Sequence, residues 1–129
     1  MDLLTIFVSG IIMLLLDFVY LSSLSKTYSD QVAAIQRTVM NLKMEGAALC
    51  YLFLIFGLYY FILKDNKSPF DAFLLGLVIY GVYEATTYAI FKKWPLNLVI
   101  IDTLWGGTLF ALTTLLTYEF VNLLKTIKI

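Results

Sequence analysis

Four long apolar runs, at about 3–24, 46–63, 70–91 and 96–118, decide what this chain can fold into. Each is close to the roughly 20 residues that a helix needs to cross a hydrocarbon core of about 30 Å. The runs are continuous rather than alternating and too long for strands, which argues against a β-barrel. Of the 129 residues, 61% are hydrophobic and 14% charged. With a mean hydropathy of +0.89, that leaves more apolar surface than a water-soluble domain of this size can hide. The expected fold is therefore all-α: a polytopic membrane protein whose four transmembrane helices form one antiparallel bundle, a single domain over 1–129. The lipid bilayer is its first partner. The first run opens on Asp2 rather than a basic residue and contains Asp17, so it reads as a retained span, not a cleaved signal.

Punctuation between the runs supports this division. Ser68-Pro69-Phe70-Asp71 predicts a helix start, with Ser68 as N-cap, Pro69 in the first helical position and Asp71 completing a capping box. Trp94-Pro95 ends the third helix, because a proline disfavours helix in the residue before it. Links this short predict that helices two, three and four pack as antiparallel neighbours. Between helices one and two, Tyr28, Val32, Ile35, Val39 and Leu42 recur at spacings of four and three. That apolar stripe predicts an amphipathic segment over 25–44, lying at the interface or extending helix two.

The charge pattern excludes several classes. The net charge is zero and the basic residues are scattered, so no nucleic-acid partner is expected. The single cysteine, Cys50, reads as a small packing residue. The lack of histidine removes the commonest zinc ligand and neutral-pH proton shuttle, and no cofactor is expected. Let side A be the membrane face bearing both termini and side B the other. Lys26, Arg37, Lys43, Lys92 and Lys93 fall on side B; Lys64, Lys67, Lys125 and Lys128 fall on side A. Five against four sets no orientation by the positive-inside rule. Trp94 beside Lys92 and Lys93 reads as a headgroup anchor.

The informative residues are acids inside the spans. Asp17 comes late in the first run, Glu84 about two turns before the end of the third, and Asp102 under two turns into the fourth. At 1.5 Å rise per residue all three lie roughly 10 Å or less below side B. Glu45 sits just above them. A lone charged acid at mid-span costs about 2.5–3.5 kcal/mol, so these groups should face inward, holding protons or a cation. Candidates for the cation are Lys43 or Arg37 folding in, a hard metal ion, or a cationic substrate. Polar or small residues share their helix faces: Gly10, Met13 and Tyr20 with Asp17; Gly76, Tyr80, Thr87 and Tyr88 with Glu84; Gly106, Thr113 and Thr117 with Asp102. Trp105 stands beside Gly106-Gly107. The candidate cation- or proton-binding set is therefore Asp17, Glu84, Asp102 and Glu45, supported by Tyr20, Tyr80, Thr87, Tyr88 and Trp105.

Asp17-Phe18-Val19-Tyr20-Leu21, Tyr80-Gly81-Val82-Tyr83-Glu84-Ala85-Thr86-Thr87-Tyr88-Ala89, Trp94, and Asp102-Thr103-Leu104-Trp105-Gly106 together resemble a four-span membrane family catalogued as domain of unknown function 2177. The resemblance covers nearly the whole chain. The family pattern has an aspartate where Glu84 stands and an asparagine where Thr87 stands; here the acid is kept and the amide lost. The resemblance implies the fold and the acid site, and names no reaction.

The residues favour binding or transport of a proton or small cation through the carboxylate layer, with a homodimer supplying eight helices around it. The alternatives are a structural or assembly subunit bound to another membrane protein, and a membrane-embedded enzyme acting on lipid. The enzyme has the weakest support, because the chain lacks histidine, a Gly-x-Gly-Asp motif and repeated Asp-x-x-Asp.

Overall fold

The computed structural model describes residues 3–36, 44–91 and 94–128, with side chains at 3–23, 45–91 and 94–127. Four helices account for almost all of them: α1 (Leu3–Gln36), α2 (Met44–Leu58), α3 (Pro69–Ile90) and α4 (Leu96–Lys128). All four are long and apolar enough to cross a membrane, over Leu3–Ser23, Glu45–Leu63, Pro69–Ile90 and Leu96–Ile127. Their outer faces carry large apolar side chains, such as Phe7 at 71% and Phe53 at 73% exposure. In water such a surface would be an aggregation liability; in lipid it is solvated. The chain is a multi-pass membrane protein.

The ends of the elements follow from local chemistry. At its C-terminal end α2 widens into a π turn over Tyr59–Leu63. The turn is closed by Lys67 N–H donating to the Ile62 carbonyl at 2.9 Å and Asn66 N–H to that of Leu63 at 3.1 Å. Asn66 takes a left-handed φ of 54°, which asparagine tolerates better than most residues. This is the Schellman geometry that satisfies terminal carbonyls. Ser68 then caps α3 as the sequence predicts, its hydroxyl accepting from Asp71 N–H at 3.1 Å. At the far end Phe91 turns extended and donates its N–H to the Thr87 carbonyl at 2.9 Å.

Two helices outrun their predicted lengths. Residues 25–36 are helical, as the stripe predicts, but they continue α1 rather than extending α2. Residues 37–43, and the side chains that would show the stripe's apolar face, lie outside the described residues. The fourth helix, read as ending near 118, runs to Lys128, with Val121 still buried.

Packing corrects one expectation. Helix α4 lies against α3 on one side and α1 on the other, and α2 packs on α1. Around the bundle the order is thus α2, α1, α4, α3. Despite their short link, α2 and α3 barely meet, and a cleft of about 390 Å³ opens between them. Glycines, not link length, bring α3 onto α4. A Cβ on Gly76 would collide with the Gly106 carbonyl and come within 3.0 Å of Gly107 Cα. One on Gly107 would come within 2.9 Å of the Phe73 ring. Small residues let membrane helices approach at backbone distance, and α2 offers α3 no such surface. Its own close approach is to α1, where Gly10 lies under Ile55. The buried centre is Met13, Leu54, Leu58, Ala72, Leu109 and Phe110.

Gly76→Ala forces backbone against backbone and is expected to cost about 1–3 kcal/mol of bundle stability. Gly57→Ala, with nothing within 4 Å of the added carbon, is expected to cost nothing. Unfolding equilibria in detergent or bicelles measure both; equal stabilities would contradict the close α3–α4 contact.

Candidate functional site

Each of the three intramembrane acids is buried: Asp17 is 5% exposed, Glu84 1% and Asp102 8%. Their partners divide them. Asp17 (α1) accepts from the Trp105 indole N–H on α4 at 3.0 Å and from the Tyr51 hydroxyl on α2. Asp102 (α4) accepts from the Tyr20 hydroxyl on α1 at 3.1 Å. The rings of Tyr20 and Trp105 stack between these bonds, with centroids 4.7 Å apart and planes 5° from parallel.

The pattern is reciprocal. Each helix offers an acid followed three residues later by an aromatic donor: Asp17 and Tyr20 on α1, Asp102 and Trp105 on α4. Three residues are about 4.5 Å of rise on one helical face. Because the helices are antiparallel, each acid meets the other helix's ring. The rise matches the ring separation, so both bonds and the stack form together.

Glu84 is held differently. It accepts from the Trp94 indole N–H at 2.9 Å, and it lies within hydrogen-bonding reach of Asp102. The α3–α4 glycine contact causes this meeting. Tyr80 packs on Gly106; Glu84 is one turn beyond Tyr80 and Asp102 one turn before Gly106, so the antiparallel crossing brings them level. A hydrogen bond between two carboxyl groups needs a proton on one of them.

The other expected members are placed as follows. Tyr80 packs its ring on Gly106 and edge-on to Phe110, with centroids 6.4 Å apart. It also lines the α2–α3 cleft together with Cys50, Leu54 and Asp102. Thr87 turns its hydroxyl back to the Tyr83 carbonyl at 2.9 Å. Tyr88 is 47% exposed and faces outward. Glu45 is exposed in the first turn of α2 and forms no hydrogen bond with the other acids among the described residues. Arg37 and Lys43, expected to fold in, lie outside the described residues. Among the described residues no group of three or more His, Cys, Asp or Glu side chains gathers at metal-binding distance.

Two donors escape the sequence reading. Trp94, read as a headgroup anchor, is buried and turned inward onto Glu84. Its position beside Pro95 starts α4 and aims the indole back under α3. Tyr51 lies in a run with little other polarity. The available signal was that a tyrosine whose ring is buried still needs a partner for its hydroxyl. Cys50, read as a packing residue, is exposed at the cleft instead: it shares the face of Leu54 and Leu58, but at its level that face borders the α2–α3 opening.

Removing a donor to Asp17 should weaken the bundle. Tyr51→Phe and Trp105→Phe are each expected to cost about 1–2 kcal/mol, the upper range for membrane hydrogen bonds, and outward-facing Tyr88→Phe almost nothing. Asp17→Asn and Trp105→Phe, in contact, should be non-additive in a double-mutant cycle; additive costs would remove the bond from the account.

A family model described as predicted membrane protein, DUF2177, matches residues 3–119. No curated protein and no solved structure matches the chain. The chain belongs to this family of predicted membrane proteins, as the residues around Asp17, Glu84, Trp94 and Asp102 suggest.

Proposed function

We propose that this member of the domain of unknown function 2177 family binds a proton or small cation at the Glu84–Asp102 pair, in the service of transport across its membrane. The observation that carries the reading is the meeting of two buried carboxyls from different helices, within hydrogen-bonding reach of each other. Among the described residues each has one other donor, Trp94 for Glu84 and Tyr20 for Asp102. One positive charge between them completes the site. Asp17 differs, since two donors from two other helices already meet it; its part is to hold α1, α2 and α4 together. The α2–α3 cleft reaches Asp102, which supports exchange rather than permanent sequestration.

Reconstituted in liposomes, the wild-type chain is expected to take up protons after a pH jump and to show a protonated carboxyl band in the infrared. Glu84→Gln with Asp102→Asn should abolish the band and slow uptake by about a hundredfold or more, the scale of a lost proton-transfer group. Asp17→Asn should leave uptake largely intact. Unchanged uptake in the double variant would overturn the reading. A loss confined to Asp17→Asn would reassign the site.

A further inference from the structure

The two bonds that join α1 to α4 also fix what faces what along the rest of that seam. Counting toward side A from Asp17–Trp105, Met13 falls opposite Leu109, Ser9 opposite Thr113 and Thr5 opposite Thr117. Every one of these six residues is buried, at 8% exposure or less. Beyond the Met13–Leu109 level the seam is therefore lined by hydroxyls, where an apolar core would be expected.

Two of those hydroxyls, with that of neighbouring Thr114, have an unusual status, while Ser9 donates to the Ile6 carbonyl at 3.0 Å. Thr113, Thr114 and Thr117 are wholly buried, and their Oγ1 atoms have no hydrogen-bond partner among the described residues. Threonine in a helix ordinarily turns its hydroxyl back to the carbonyl one turn earlier. Thr86, Thr87, Thr108 and Thr126 do so at 2.7–2.9 Å. Thr113, Thr114 and Thr117 do not, nor does Thr103 outside the seam. Buried polar groups left without a protein partner are sites for bound water.

The seam also has an entrance. On side A a cavity of about 450 Å³ is lined by Thr5, Lys64, Asn66, Tyr118, Asn122 and Lys125 among others. Thr5 belongs to both cavity and seam, and Tyr118 follows Thr117 directly. At the other end Met13, Leu109 and Phe110, all fully buried, form one apolar layer before Asp17 and Trp105. From Thr113 to Trp105 is about 12 Å along the helix, so the dry stretch is short.

We propose that the α1–α4 seam, closed to water at Ser9, Thr113 and Thr117 in this structure, opens to admit a chain of waters and so forms a half-channel that carries protons from side A to this apolar layer. It rests on the carboxyl-pair reading and adds the route and the species. A hydroxyl donates and accepts, so it can complete a chain of waters along which protons pass. The described stretch from the cavity to Met13 holds no carboxylate to balance a metal ion. The apolar layer keeps the carboxyls out of standing contact with side A.

The test is cysteine accessibility in proteoliposomes, in a Cys50→Ala background. Single variants Thr117→Cys, Thr113→Cys, Leu109→Cys and Leu115→Cys are exposed to a charged, membrane-impermeant thiosulfonate, with Asn122→Cys marking side A. Such reagents need a hydrated thiolate. Thr117→Cys and Thr113→Cys should react from the side that labels Asn122→Cys. Leu109→Cys in the apolar layer and lipid-facing Leu115→Cys should resist. No reaction at both seam positions overturns the half-channel, as does reaction at Leu109→Cys equal to that at Thr113→Cys. A carboxyl band that persists while seam labelling fails sinks the channel alone; labelling that persists without the band sinks the carboxyl reading.

Discussion

The crossed pair of hydrogen bonds between α1 and α4 is the constraint from which the rest of the bundle follows. In lipid there is no hydrophobic drive to press apolar helices together. Dispersion holds them but does not choose a register, since one leucine face resembles another. Asp17 to Trp105 and Tyr20 to Asp102 do choose one. A slip of one turn would take the indole from Asp17 and the phenol from Asp102 in a medium that cannot solvate them, at a cost of several kcal/mol. The stacked rings between the bonds tighten the choice. Tyr51 then draws α2 to the same acid, which helps to explain why α2 sits beside α1 rather than beside its chain neighbour α3.

A different device holds α3. Its face against α4 works by absence of side chains, with Gly76, Gly106 and Gly107 letting the backbones close. Close packing of this kind has a functional side effect. It delivers Glu84 to Asp102 at a separation that bulkier contact residues would not permit. Hydrogen bonding thus sets the α1–α4 register, glycine packing sets the α3–α4 distance, and Asp102 belongs to both interfaces. That double membership puts a third acid in reach of a network that would otherwise be complete with two.

The sequence made much of this legible. Run length and composition carry the four helices, and the Ser68-Pro69 start of α3 is visible in its residue types. The acids are conspicuous because lipid makes each of them expensive. What stayed hidden depended on tertiary contact. The order around the bundle could not be read from link lengths, since α2 and α3 are joined by a tight turn and still part. Trp94 looked like an anchor because tryptophan beside lysines at a span end has that meaning locally; only the fold turns its indole onto Glu84. Tyr51 gave no signal against its apolar neighbours. The helical continuation of α1 to Gln36 was legible as a periodic stripe, but not the helix to which it belongs.

Donor count separates acids that depth alone would class together. Asp17, Glu84 and Asp102 lie in one layer, and on depth they form one site. Asp17 accepts from two neutral donors on two other helices. Such donors stabilise a carboxylate where it stands and leave it little reason to exchange anything. Among the described residues Glu84 and Asp102 accept one donor each, from indole and phenol, and then face one another. Two acceptors in contact repel unless something positive lies between them, and what lies between them can change. On the proposed reading the layer divides into a clamp at Asp17 and an exchangeable pair at Glu84 and Asp102, with the Tyr20–Trp105 stack joining the two.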